Sequence, residues 1–238
     1  MWDLGWFGHI AFNLQFFSAL LSIIIINIIL SGDNAVVIAL AVRSLPKKQR
    51  LWGIILGSGL AVFLRIILTF FAAKLLMIEF LKLGGGLLIA WIAVKLFTEG
   101  ADESEVQQSG SIGQAVRVIL IADLVMSVDN VLGVAGASQG NMFLLIFGLG
   151  SSIPLIVGTS TLLSMLMDRY PIIVYIGSAI LGKVAGDMII TDPFVERVFH
   201  PSQMVEYAVM AIFIVGVLVV GRALLKRKIA KQEALINQ

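Results

Sequence analysis

Two carboxylates stand where water should be absent. Ser31-Gly32-Asp33-Asn34 interrupts an apolar run from about Leu14 to Val42 that holds no other charge, and Ser127-Val128-Asp129-Asn130 interrupts a second such run 96 residues later. An acidic side chain at the centre of a membrane helix costs roughly 2.5–3.5 kcal/mol on insertion scales, so something has to offset it. Asn27 and Asp123 match at the same 96-residue spacing, each six residues before the Asp of its run. The chemistry these positions offer is all hard oxygen: the carboxylates of Asp33, Asp123 and Asp129, the amide carbonyls of Asn27, Asn34 and Asn130, and the hydroxyls of Ser31 and Ser127. Such a set suits Mg, Ca or Mn rather than Cu(I) or structural Zn, which prefer sulfur or imidazole. The chain has no Cys, and neither of its two histidines, His9 and His200, falls in an apolar run. Three buried anions leave excess negative charge that a divalent cation, protons or both can neutralise. That is a mechanism for exchange: metal binds the ionised carboxylates, and protons entering from the other side displace it. The bland alternative is interhelical hydrogen bonding worth about 0.6–2 kcal/mol per contact. Two acids related by a repeat, each beside an Asn, favour a site.

The elements that position these groups follow from composition. Of the 238 residues 59% are hydrophobic and only 13% charged, with a mean hydropathy of +1.00; a soluble domain has about a quarter charged. The chain reads as an all-α polytopic membrane protein, and the acyl core requires about 20 mostly apolar residues per spanning helix. Seven stretches qualify, at roughly 14–42, 51–73, 76–98, 113–137, 141–164, 171–190 and 205–225. Gly57 to Gly59, Gly84 to Gly86, Gly148, Gly150 and Ser151 are expected to let helices approach closely. The start of the chain lacks the basic segment and cleavage site of a signal peptide and is expected to be retained.

Charge sets the orientation. Arg43, Lys47, Lys48, Arg50, Arg169, Arg222, Lys226, Arg227, Lys228 and Lys231 fall on one side and Lys74, Lys82 and Arg197 on the other. The basic side is cytoplasmic, which puts the N-terminus outside and the C-terminus inside. The net charge of +2 is thus a topology signal, and no nucleic-acid surface is implied. The acidic loop from Glu99 to Glu105 reads as a cytoplasmic linker.

An internal duplication underlies the plan. At an offset of 96, Ser31 meets Ser127, Asp33 meets Asp129, Asn34 meets Asn130, Ala39 meets Ala135 and Ala41 meets Ala137. At an offset of 93, Gly57-Ser58 then meets Gly150-Ser151 and Gly84 meets Gly177. Two three-helix blocks result, about 14–98 and 113–190, with an extra helix at about 205–225, all in one transmembrane domain. Because three is odd, the second block crosses in the opposite sense, the inverted-repeat plan of many secondary transporters. Antiparallel placement about the midplane puts Asp123 level with Asp33 and Asn27 level with Asp129. Asp33 and Asp129 each lie about 100° round the helix from the neighbouring Asn. Of the other charges in the spans, Lys183 and Asp187 are four apart and suit a structural pair. Arg65 either neutralises a site carboxylate in the metal-free state, snorkels or pairs elsewhere.

The runs SGDNAVVIALAV from Ser31 and ADLVMSVDNVLGVAGAS from Ala122, with the seven-span layout, resemble the TerC family of bacterial integral membrane proteins, within the LysE-like transporter group. That family is named for tellurium resistance, and several members are implicated in manganese export. The resemblance implies an ion-path role for Asp33, Asn34, Asp123, Asp129 and Asn130; the oxygen chemistry of the two runs adds Asn27 as a further ligand. It implies manganese efflux across the bacterial inner membrane by alternating access, with the ion as cargo, no prosthetic group and no enzymatic step. Two other readings stay open: export of an amino acid or small organic cation, and a non-transporting partner in metal loading or assembly of secreted proteins.

Overall fold

In a medium that offers no hydrogen bonds, a backbone must satisfy its own N–H and C=O groups, and an apolar chain does so by coiling into helices. The computed structural model describes the backbone of residues 2–3, 9–10, 14–75, 78, 80–100, 110–138 and 141–236; side chains at 2–3, 9–10, 15, 27–31, 70, 72–75, 128–138, 232–233 and 235–236 lie outside the description, as does the acidic loop from 101 to 109. A short antiparallel pair, β1 (Trp2–Asp3) and β2 (His9–Ile10), precedes eight helices among the described residues. They are α1 (Leu14–Arg43), α2 (Lys47–Leu75), α3 (Leu81–Gly100), α4 (Ile112–Ser138), α5 (Met142–Arg169), α6 (Ile172–Ile190), α7 (Pro193–Phe199) and α8 (Gln203–Ile236). A long helix occupies each of the seven expected stretches, and α8 continues past residue 225. The seven-residue α7 is an addition. Among the described residues five helices are long and apolar enough to cross a membrane: Lys47–Thr69, Leu81–Gly100, Met142–Arg169, Ile172–Ile190 and Gln203–Lys231.

Local chemistry marks the helix ends. Asn141 accepts a hydrogen bond from the Leu144 amide at 3.2 Å to start α5, and Ser111 does the same for Gln114 at the start of α4. Asp192, wholly buried, caps α7 by accepting from the Phe194 amide at 2.9 Å, with Pro193 in the first helical position. Its other oxygen accepts from the Leu83 amide at 3.1 Å, so one carboxylate serves the first turns of α3 and α7. His200, in the left-handed region at φ 42°, ends α7, and Pro201 follows.

Contacts at the joints fix the helix directions. Asp168 at the end of α5 pairs with Arg50 at the start of α2, and Arg43 at the end of α1 lies 3.9 Å from it. Arg50 also donates to the Arg43 and Leu45 carbonyls. Phe97 near the end of α3 meets Tyr175 near the start of α6 edge to face. Those joints share one end of the bundle, and the α3 start shares the other with Asp192 and with Phe194, whose ring lies 4.5 Å from Phe80. The long helices therefore alternate in direction, and α1 runs parallel to α5 and α2 parallel to α4.

The most extensive packing joins α2 to α4, α1 to α5, α3 to α6 and α6 to α8, with α1 against α4 next. Helices α1, α2, α4 and α5 thus make one body and α3, α6 and α8 a second, joined by slighter contacts of α3 with α4 and α6 with α1. The larger core runs from Val36–Val42 through Ile89–Phe97 to Leu181 and Ala185. A smaller one gathers Phe16, Ile23, Val62, Leu145 and Leu149. Close approach uses only some of the expected small residues. A Cβ on Gly57 would strike Ile119, on Gly148 Ile23, and on Gly86 the Ala185 carbonyl, whereas Gly59, Gly84 and Gly150 face open space. Phe63, Trp91, Tyr207, Ile212 and Val219 are among the large apolar side chains on the outside, the surface expected against acyl chains.

Candidate functional site

Both Asp-Asn motifs lie inside unbroken helices: α1 continues through Ser31 to Asn34 and α4 through Ser127 to Asn130. Neither helix therefore opens its backbone carbonyls toward an ion here. Side chains have to make the site. One turn apart on α4, Asp123 and Ser127 share a face, and that face meets Arg65 of α2. Arg65 is only 2% exposed. Its terminal Nη2 donates to Asp123 Oδ1, its Nε donates to Ser127 Oγ at 3.1 Å, and the Ser127 hydroxyl donates to Asp123 Oδ2 at 3.0 Å. The three side chains close a ring of hydrogen bonds. Its net charge is zero, and the bonds offset part of the large desolvation cost of burying two ions.

Beside this ring lies a small cavity between α1 and α4, lined by Asn34, Val37, Ile38, Ile119, Asp123 and Met126. It has room for about one water molecule or one bare cation. Asn34 is 4% exposed and comes from the first motif; Asp123 comes from the second block. Helices α1 and α4 thus bring polar groups from distant parts of the chain to one hole. Met126 adds a thioether to an otherwise oxygen and hydrocarbon lining.

Asp33 does not line this cavity. It is exposed, and the charges that act on it are Lys183 and Asp187 of α6. The 100° between adjacent helical residues is the reason: with Asn34 turned toward α4, Asp33 turns toward the second body. Lys183 and Asp187 do not form the ion pair expected of them among the described residues; Asp33 is their common neighbour. The side chains of Asn27, Ser31, Asp129 and Asn130 lie outside the described residues. Among the described residues no three Asp, Glu, His or Cys side chains converge as a metal cluster.

Of the three options that the sequence leaves for Arg65, it takes the pairing with a site carboxylate, and its partner is Asp123. Ser127 links the two, a part that its place among the candidate oxygens does not by itself indicate. Its spacing of four from Asp123 was the available signal.

Residues 12–230 match the family model described as Integral membrane protein TerC family. The chain belongs to the TerC family. This TerC-family chain is 45% identical over 174 residues to the uncharacterized membrane protein YjbE of Bacillus subtilis (strain 168), covering 73% of this chain and 80% of that protein. It is 30% identical over 176 residues to the uncharacterized membrane protein YceF of the same organism, covering 69% and 67%. It is also 24% identical over 172 residues to the UPF0053 inner membrane protein YgdQ of Escherichia coli (strain K12), covering 64% and 72%. No solved structure matches the chain. With five helices among the described residues apolar and long enough to span a bilayer, this TerC-family chain is an integral membrane protein.

Proposed function

We propose that the protein moves a hard divalent cation, manganese, out across the bacterial inner membrane by alternating access, with protons as the counter-ion. The observation that carries this reading is the ion-sized cavity between α1 and α4, where Asn34 and Asp123 put an amide and a carboxylate into an otherwise apolar bundle. Oxygen ligands of this kind suit Mn, Mg or Ca, and the choice of manganese rests on the family resemblance. In this reading Asp123, Asp129 and Asp33 take up metal or protons in turn, and Asn34, Asn130 and Asn27 add neutral oxygens. The cation is cargo, so no prosthetic group and no bond-making step are required.

The reading includes seven spans, α1 and α4 among them, arranged as two inverted repeats of three with α8 added. The packing supports this. Exchanging α1 with α4, α2 with α5 and α3 with α6 turns the α2–α4 contact into α5–α1 and leaves α3–α6 and α1–α4 in place. The N-terminus is placed outside and the basic end of α8 in the cytoplasm.

Purified protein in liposomes tests the function. Manganese flux driven by a pH gradient, with no partner added, is expected, and Asp123→Asn should cut it by at least tenfold; normal flux in that variant rules out the α1–α4 site. Competition by lysine or arginine but not by Mg2+ or Mn2+ would instead favour the amino-acid reading. Against that stands the engagement of Arg65, the arginine in mid-span that a substrate carboxylate would need, with Asp123 and Ser127. Absence of any flux would leave the partner role.

A further inference from the structure

We infer that Arg65 is a tethered competitor for the transported ion, a specificity-determining residue that holds Asp123 until a doubly charged cation displaces it. The inference rests on the cation-transport reading above. Three observations carry it. Arg65 is among the largest fully buried side chains and reaches Asp123 from α2, while the cavity reaches Asp123 from the α1 side. One carboxylate therefore has two approaches, one filled by a covalently attached cation and one open to an ion. Both Asp123 oxygens are engaged, Oδ1 by the guanidinium and Oδ2 by the Ser127 hydroxyl, which itself accepts from Arg65 Nε. An ion that takes Asp123 as a ligand must break this ring.

Charge then decides which ions succeed. In a poorly screened interior a guanidinium and a second cation on one carboxylate repel strongly. A monovalent ion that displaces Arg65 replaces one unit charge with another and forfeits the directed hydrogen bonds of the fork. A divalent ion doubles both its attraction to the carboxylate and its repulsion of Arg65, so it drives the guanidinium off Asp123 where a monovalent ion does not, and it adds the Asn34 carbonyl across the cavity. The ring is thus a valence filter. It is also one-sided: the positions matching Arg65 and Asp123 across the repeat are Gly158 and Asn27, an uncharged pair. Only one half of the protein carries the competitor, so only one of the two end states is held closed when no divalent ion is present.

The test compares wild type, Arg65→Gln, Arg65→Lys and Ser127→Ala in two assays: Mn2+ binding to purified protein by calorimetry, and K+ leak from liposomes. Removing the competitor in Arg65→Gln is expected to tighten Mn2+ binding about tenfold, a typical size for a coupling between two ligands of one group, and to open a K+ leak absent from wild type. Arg65→Lys keeps the charge but loses the fork and should fall between. Ser127→Ala loosens the guanidinium without deleting it and should tighten Mn2+ binding by a smaller factor, so the prediction stands on a second variant if Arg65→Gln does not fold. Unchanged or weaker Mn2+ binding in both Arg65→Gln and Ser127→Ala, with no K+ leak, would show a merely structural ion pair and overturn the inference while leaving transport intact. Failure of wild type to bind Mn2+ at all would instead sink the transport reading, and this inference with it.

Discussion

A guanidinium and a carboxylate taken together out of water have to be compared with two hydrocarbon side chains filling the same space. Deleting one partner of such a pair costs about 3–5 kcal/mol, because the other charge is left unmatched, whereas replacing both with apolar groups is often neutral or better. For Arg65 and Asp123 this separates fold from function. Asp123→Ala should lower stability by about 3–5 kcal/mol in detergent thermal unfolding. The double variant Arg65→Met with Asp123→Leu should recover most of that loss while transporting nothing. A double variant as unstable as the single one would mean that α2 and α4 depend on the ion pair itself rather than on charge balance. At this scale the sequence was informative about type and weak about partner. An Arg in mid-span has to find an acid, but Asp33, Asp123 and Asp129 all qualified, and only the parallel packing of α2 on α4 selects Asp123. The turn of Asp33 toward Lys183 and Asp187 was implicit in its 100° offset from Asn34, yet which of the two faced α4 had no local signature.

Among the elements, the long helices were legible because hydrocarbon leaves an apolar chain no other way to satisfy its backbone. Helix α7 was not. Seven residues are too short for a periodic signal, and its cap at Asp192 and stop at His200 look in sequence like an ordinary loop. Nor could the packing glycines be told from the idle ones, since small residues recur along most of the spans. The structure sorts them. At Gly186 a Cβ would stand 2.8 Å from the Met210 Cα and at Gly182 3.0 Å from the Ile214 Cα, backbone that cannot rotate away, while at Gly59 it would meet nothing. Gly186→Ala should therefore cost about 1–3 kcal/mol as α8 is pushed off α6. Gly59→Ala should be neutral or gain up to about 1 kcal/mol from helix propensity. Melting temperatures of the two variants side by side would decide; equal values would mean that α8 is held by lipid rather than by α6.

For the molecule as a whole, the ends of the bundle are chemically distinct. Arg43, Arg50 and Asp168 meet at one end, and Asp192 binds the starts of α3 and α7 at the other. The absence of cysteine makes this end assignment easy to check in the cell. In a single-cysteine pair, Ser202→Cys should react with a membrane-impermeant thiol reagent on intact cells, and Gln49→Cys, at the Arg43 end, only after the membrane is opened. The reverse pattern would invert the topology that the basic residues imply. The recurrence of Ser, Asp and Asn at a constant interval stands out in sequence because the segments around it are otherwise alike and apolar. The division into two bodies does not, since it depends on which helix faces pack, and apolar faces carry little to tell one neighbour from another.

Helix α6 lies against α8 at Gly182 and Gly186 with almost no side chain between them. A join of backbone on backbone has no rotamers to rearrange, so it transmits displacement instead of absorbing it. The two helices behave as one stiff bar whose far end carries the basic run from Arg222 to Lys231. Whatever tilts α6 should swing that basic tip with it, and a fluorophore at the tip would report on the interior of the bundle from its end.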